Sequence, residues 1–106
     1  MNLQSKYFNY IKSGTKRVEL RLFDEKRQNI NLGDMIEFSD GNESLKVEVV
    51  GLLRYKSFQD LLADFDTTLL ADASMTKTEL LDALQEFYSP EAQSQYGVVG
   101  IRFILH

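Results

Sequence analysis

The sequence contains no cysteine and no tryptophan, and it has one proline and one histidine, His106. Without cysteine there is no disulfide framework, no thiol nucleophile and no zinc finger, and one histidine cannot build the clusters that serve catalysis or hold metals. Apolar runs are only a few residues long, far short of the roughly 20 that a spanning helix needs. The opening segment, MNLQSKYFNYIKSG, also lacks the apolar stretch of a signal peptide. These absences predict no membrane association and a cytoplasmic setting. The carboxylates between Asp60 and Glu91 follow no EF-hand order, so no metal site and no cofactor are expected.

What remains is an ordinary globular composition, 43% hydrophobic and 26% charged over 106 residues. That length accommodates one domain, here residues 1–106, and not two. The net charge of −4 conceals an uneven distribution. Lys6, Lys12, Lys16, Arg17, Arg21, Lys26 and Arg27 face only three acids within residues 1–27, whereas residues 57–96 hold eight acids against Lys77 alone. A two-sided molecule is expected, whose N-terminal quarter attracts a polyanion while the acidic segment repels it. Chance clustering on a solvated acidic surface, or an acidic helical face that binds a protein, would give the same count.

Residues 2–14 read as a helix, with Leu3, Tyr7, Phe8 and Ile11 on its apolar stripe, Asn2 as its cap and Gly14 as its stop. Arg17 to Phe23 then alternates as a half-buried strand, with Val18, Leu20 and Leu22 on one face and Arg17, Glu19 and Arg21 on the other. A polar connection with room for a helical turn leads to Gly33-Asp34 and a strand over Met35 to Ser39. Asp40-Gly41 marks a hairpin, and the long run from Leu45 to Tyr55 carries Gly51 as the site of a bulge. Ser57 with Asp60, Thr76 with Glu79, and Ser89 before Pro90 signal three helix starts. Val99 to Leu105 closes the chain as a strand. This order predicts an α+β domain in which a small, mostly antiparallel sheet curls towards a barrel and helices cover its open side.

The most informative segment is Gly14-Thr15-Lys16-Arg17-Val18-Glu19-Leu20-Arg21. A tight turn at Gly14 would bring Lys16 out at the mouth between helix and sheet. Arg17, Glu19 and Arg21 would line one strand face at steps of about 7 Å. Such a row is either a surface ion-pair ladder or a site in which Glu19 organises two guanidiniums for phosphate or a base edge. Lys12 and Arg54 extend the cationic set. Tyr55, between Arg54 and Lys56, is a stacking aromatic or a strand-end residue covering the core. Phe87-Tyr88 reads most simply as core.

The string Gly14-x-Lys16-x-x-Glu19-x-Arg21, followed by Gly33-Asp34 and by Gly97-Val98-Val99-Gly100-Ile101-Arg102-Phe103, resembles the ASCH domain family of the PUA-like superfamily, in order and over nearly the whole chain. The resemblance implies a PUA-like small β-barrel of mostly antiparallel strands flanked by helices. It also implies a cleft beside the Gly-x-Lys string and a role in binding RNA or a nucleotide-like ligand through Lys16, Arg17, Glu19 and Arg21.

Two enzymatic readings follow from relatives. One small bacterial branch is similar to amide hydrolases acting on N-acetylated cytidine with a lysine, a threonine three residues later and a downstream glutamate. Lys16 matches the lysine, but Glu19 stands at the threonine position and Ala73 near the glutamate. A nucleophilic lysine must be neutral, a state that an adjacent Glu19 opposes. Another branch resembles a metal-independent ribonuclease using a tyrosine, a lysine and a serine. Tyr10 and Lys16 fit that spacing, with Ser89 or Ser94 as the serine, while Tyr10 reads equally as a half-buried helix residue.

Overall fold

The computed structural model describes residues 1–106. Its elements run α1 (Ser5–Lys12), β1 (Val18–Leu22), α2 (Glu25–Gln28), β2 (Met35–Ser39), β3 (Ser44–Tyr55), α3 (Phe58–Asp64), α4 (Thr67–Leu70), α5 (Lys77–Phe87), α6 (Pro90–Tyr96) and β4 (Val98–Leu105). The strands form one antiparallel sheet in the order β1-β4-β3-β2, curled into a half-barrel and flanked by the six helices. No helix is long and apolar enough to cross a membrane.

The turn signals act where the sequence places them. Ser57, Thr76 and Ser89 each accept a backbone N–H from three residues on, and Thr76 with Glu79 closes a reciprocal capping box. The register of β3 against β4 shifts between Val49 and Gly51, which is the expected bulge. At Gly51 an added Cβ would lie 3.1 Å from Cβ of Arg102, so the glycine makes room for the neighbouring strand's stem. Gly97, with φ +70° and ψ −177°, links α6 to β4 in a conformation essentially confined to glycine.

Three expectations change. Asn2 does not cap α1; it forms an isolated parallel bridge with Ser39, and the helix begins at Ser5 behind Gln4. Hydrogen bonds from Ser39 N–H to Met1 O and from Leu3 N–H to Ser39 O tie the first residues to the end of β2. The strand at Val18 is not half-buried, because Val18, Glu19 and Leu20 are all buried. Val18 and Leu20 join the main core under the helices, and Glu19 is enclosed by Lys16, Arg21 and the cleft residues around them. Finally, the basic and acidic segments are not wholly separated. The α5 helix, which carries Glu79, Asp82 and Glu86, packs beside α1 closely enough for Glu86 to act on Tyr7 and Lys6 on Glu79.

The main core gathers Val18 and Leu20 of β1 with Phe58, Leu61 and Leu62 of α3, Leu70 of α4, and Leu80 and Leu84 of α5. A second cluster joins Phe8 and Ile11 of α1 to Phe38, Val47 and Phe103 of the sheet. β1 joins the main core through Val18 and Leu20, with Leu22 packed against it.

Candidate functional site

The chain leaves α1 through Gly14 at φ +87°, and the N–H groups of Thr15 and Lys16 both return to the carbonyl of Tyr10. The Arg17 N–H then bonds Leu69 O of α4 at 2.7 Å, so this loop is clamped between two helices. The clamp turns Lys16 inward instead of out at a mouth, leaving it only 3% exposed. Its Nζ donates to Val18 O and Leu70 O, each at 2.7 Å, and lies 3.3 Å from Oε1 of Glu19 and 5.9 Å from the centre of the Tyr7 ring. Three acceptors surround a group with three protons, which is the coordination an ammonium requires.

Glu19 is equally enclosed. Its Oε1 accepts the Leu20 N–H at 3.1 Å, and its Oε2 accepts Nε and Nη2 of Arg21 at 3.0 and 2.8 Å. Arg21 Nη2 also donates to Asn2 O at 3.0 Å, and the Tyr88 hydroxyl is a further hydrogen-bond partner of the guanidinium. Burial pulls the Lys16 pKa below the ordinary lysine value against the opposing pull of Glu19. Burial alone would raise the Glu19 pKa, but the charges of Lys16 and Arg21 and the hydrogen bonds from Arg21 and Leu20 hold it below the usual carboxylate range. For Arg21, burial is outweighed by Glu19 and by the nearby Tyr88 hydroxyl, which raise its pKa. The set is a lysine-carboxylate-guanidinium row with Tyr88 against its Arg21 end.

This row forms the floor of a cleft of about 160 Å³ between α1, β1 and α5. Its walls are Tyr7, Leu20, Leu80, Leu84, Phe87 and Tyr88, and Asn2 and Gln4 contribute polar groups. The Tyr7 pKa is raised, first by burial and then by Tyr10, Glu19 and Glu86, so its hydroxyl keeps its proton.

The chain therefore brings together Lys16, Glu19 and Arg21 and sends the other expected residues elsewhere. Arg17 precedes the strand proper, is exposed, and donates from Nε to Gly14 O at 3.3 Å. Lys12 pairs at 2.7 Å with Glu43 on the surface. Arg54 stacks 4.0 Å over the Phe23 ring and lines a different hollow. Tyr10 does not line the cleft; its half-buried ring packs edge-on against Tyr7 and the main core. Ser89 is occupied as a helix cap and Ser94 lies in the hollow of Arg54, so neither meets Lys16. The aromatic walls went unrecognised because Tyr7, Phe87 and Tyr88 all fall on apolar helical stripes. One signal was present: the α5 stripe of Leu80 and Leu84 continues into two adjacent aromatics where a core needs one.

A family model, the ASCH domain, matches residues 1–105. The chain belongs to the ASCH domain family. This ASCH domain is similar to the crystal structure of the hypothetical protein PH0355, with 37% identity and a TM-score of 0.90 over 100% of this chain and 96% of that one. It is also similar to the solution NMR structure of protein PF0455 from Pyrococcus furiosus, at 34% identity and a TM-score of 0.79 over 99% and 94% of the two chains. No curated protein matches it.

Proposed function

We propose that this ASCH domain binds RNA or a nucleotide-like ligand by taking one base into the cleft between α1, β1 and α5. The observation that carries this reading is the pairing of aromatic walls with the Arg21 guanidinium, which Glu19 and the Tyr88 hydroxyl hold at the floor of the cleft. A cavity of about 150 Å³ admits a benzene ring, so 160 Å³ matches a single heteroaromatic ring better than a whole nucleotide. Stacking on tyrosine and phenylalanine faces supplies affinity that is tolerant of sequence, and a fixed guanidinium addresses acceptors on a base edge. Glu19 offsets one of the two cations, Lys16 and Arg21, and leaves the cleft a single positive charge, so recognition rests on the base more than on phosphate.

Calorimetric titration with the four ribonucleoside 5′-monophosphates tests this. Arg21→Gln removes a charged hydrogen-bond donor worth about 1.5–3 kcal/mol, so affinity should fall roughly 10- to 150-fold. Arg17→Gln, which removes a cation outside the cleft, should leave it unchanged. Equal losses in the two variants would mean that net charge alone drives binding and would refute the reading.

Binding without turnover is the expected behaviour. Amide hydrolysis by Lys16 would require a free lone pair on Nζ, yet two carbonyls and a carboxylate surround that atom as acceptors. Incubation with N-acetylated cytidine, followed by chromatography, should recover the substrate unchanged. Deacetylated product that disappears in Lys16→Met would instead make the protein a hydrolase.

A further inference from the structure

A second hollow lies beyond the turn between α5 and α6, an open groove of about 1130 Å³. Tyr88 lines the cleft and Pro90, two residues on, lines the groove. Phe87, at the cleft's edge, keeps 59% of its surface exposed, which is unusual for a phenylalanine in so small a domain. Within the groove, Arg54 is laid flat on Phe23, and none of its nitrogens donates to the protein. Lys56 has no carboxylate partner, and Tyr96 is 37% exposed. The amides of Gln59, Gln85 and Gln95 line the same groove with no hydrogen bond inside the protein. Of the eight carboxylates between residues 57 and 96, Asp60 alone is among the lining residues. The groove thus holds two cations, exposed tyrosine and unpaired amides, with acid confined to Asp60 and to Asp64, which accepts from the Tyr55 hydroxyl at 2.8 Å.

We infer that this groove is a second nucleic-acid site, which holds the single strand running on from the base in the cleft. This inference rests on the reading of the cleft given above and enlarges the ligand from a nucleotide to a short single-stranded RNA. Arg54 and Lys56 take phosphates, Tyr96 and Phe87 offer stacking faces, and the glutamines meet base edges, as in sequence-tolerant single-strand grooves. A strand of several nucleotides fits the groove's size, which a single base leaves largely empty.

Calorimetric titration of the full chain with the mononucleotides, a mixed-sequence hexaribonucleotide and a hexaglutamate peptide decides the matter. The hexaribonucleotide should bind at least tenfold more tightly than any mononucleotide. Arg54→Gln with Lys56→Gln should remove that advantage, leave the mononucleotides unaffected and flatten the dependence of log K on log salt by about 1.4, since each single-strand phosphate contact contributes roughly 0.7. Lys56→Gln with Tyr96→Ala, which keeps Arg54 on Phe23, should act in the same direction. A wild type that binds the hexaribonucleotide no better than a mononucleotide overturns the groove while leaving the cleft intact. Hexaribonucleotide binding that is lost in the groove variants, with no mononucleotide binding at all, upholds the groove and overturns the cleft. Hexaglutamate binding as tightly as the RNA makes the groove a peptide site and overturns the inference, and absence of all binding overturns both.

Discussion

Glu19→Gln should lower folding stability by about 3–5 kcal/mol, the typical cost of removing one partner from a buried ion pair. The variant leaves Lys16 and Arg21 facing each other without the carboxylate that now accepts from both. Small domains are stable by only about 5–15 kcal/mol, so the loss should appear as a large fall in the urea midpoint, with little change in slope. The pH dependence carries the same signature. The Glu19 pKa is lowered in the fold, so its contribution is complete above the ordinary glutamate value and is lost as pH falls through the depressed one. Wild-type stability should therefore decline below the usual carboxylate range, and the variant should lack that part of the decline. A variant within 1 kcal/mol of wild type, on the same scale of buried pairs, would mean that the carboxylate is less enclosed than its contacts indicate.

Lys16→Met should be comparably destabilising for a different reason. It strips the donor from two buried carbonyls, Val18 O and Leu70 O, and each orphaned acceptor costs about 1–3 kcal/mol. Glu19 retains Arg21 and the Leu20 N–H and so stays ionised. Because Val18 O, Leu70 O and Glu19 already surround Nζ, the proposed binding mode gives Lys16 a positioning role towards Glu19 and α4 and no direct bond to the ligand. The folded variant should bind mononucleotides within about twofold of wild type, a difference of only ~0.4 kcal/mol. The expected contrast with Arg21→Gln is sharp: loss of stability with binding kept in one variant, and loss of binding in the other. Denaturation curves and titrations on the same two variants would separate these roles. Loss of binding in stable Lys16→Met protein would return Lys16 to the ligand.

The elements themselves were largely legible, because helix caps, turn glycines and strand alternation are local. Ser57, Thr76, Ser89 and Gly51 each act through neighbours within a few residues. What the local pattern could not convey was which side of β1 would be covered and by what. Lys16 is buried because Leu70, 54 residues later, presents a carbonyl from a four-residue helix too short to leave a periodic trace. Arg17 and Arg21 look equivalent by alternation, yet the bond between the Arg17 N–H and Leu69 O ends the regular strand before Arg17 and points it to solvent. The parallel bridge of Asn2 to Ser39, which brings Asn2 O to Arg21, is likewise a long-range event hidden behind a plausible cap. Charge counting likewise could not show that α5 lies across the cleft from α1, with Glu79 within reach of Lys6 and Glu86 within reach of Tyr7.

The cleft as a base-binding site is tested most directly by nuclear Overhauser contacts from the tightest-binding mononucleotide to isotope-labelled protein. The base protons should show contacts to the rings of Tyr7 and Tyr88, with the Arg21 side-chain resonances shifting on saturation. Contacts confined to residues outside the cleft, such as Tyr96 and Arg54, with Tyr7, Tyr88 and Arg21 unmoved, would contradict it.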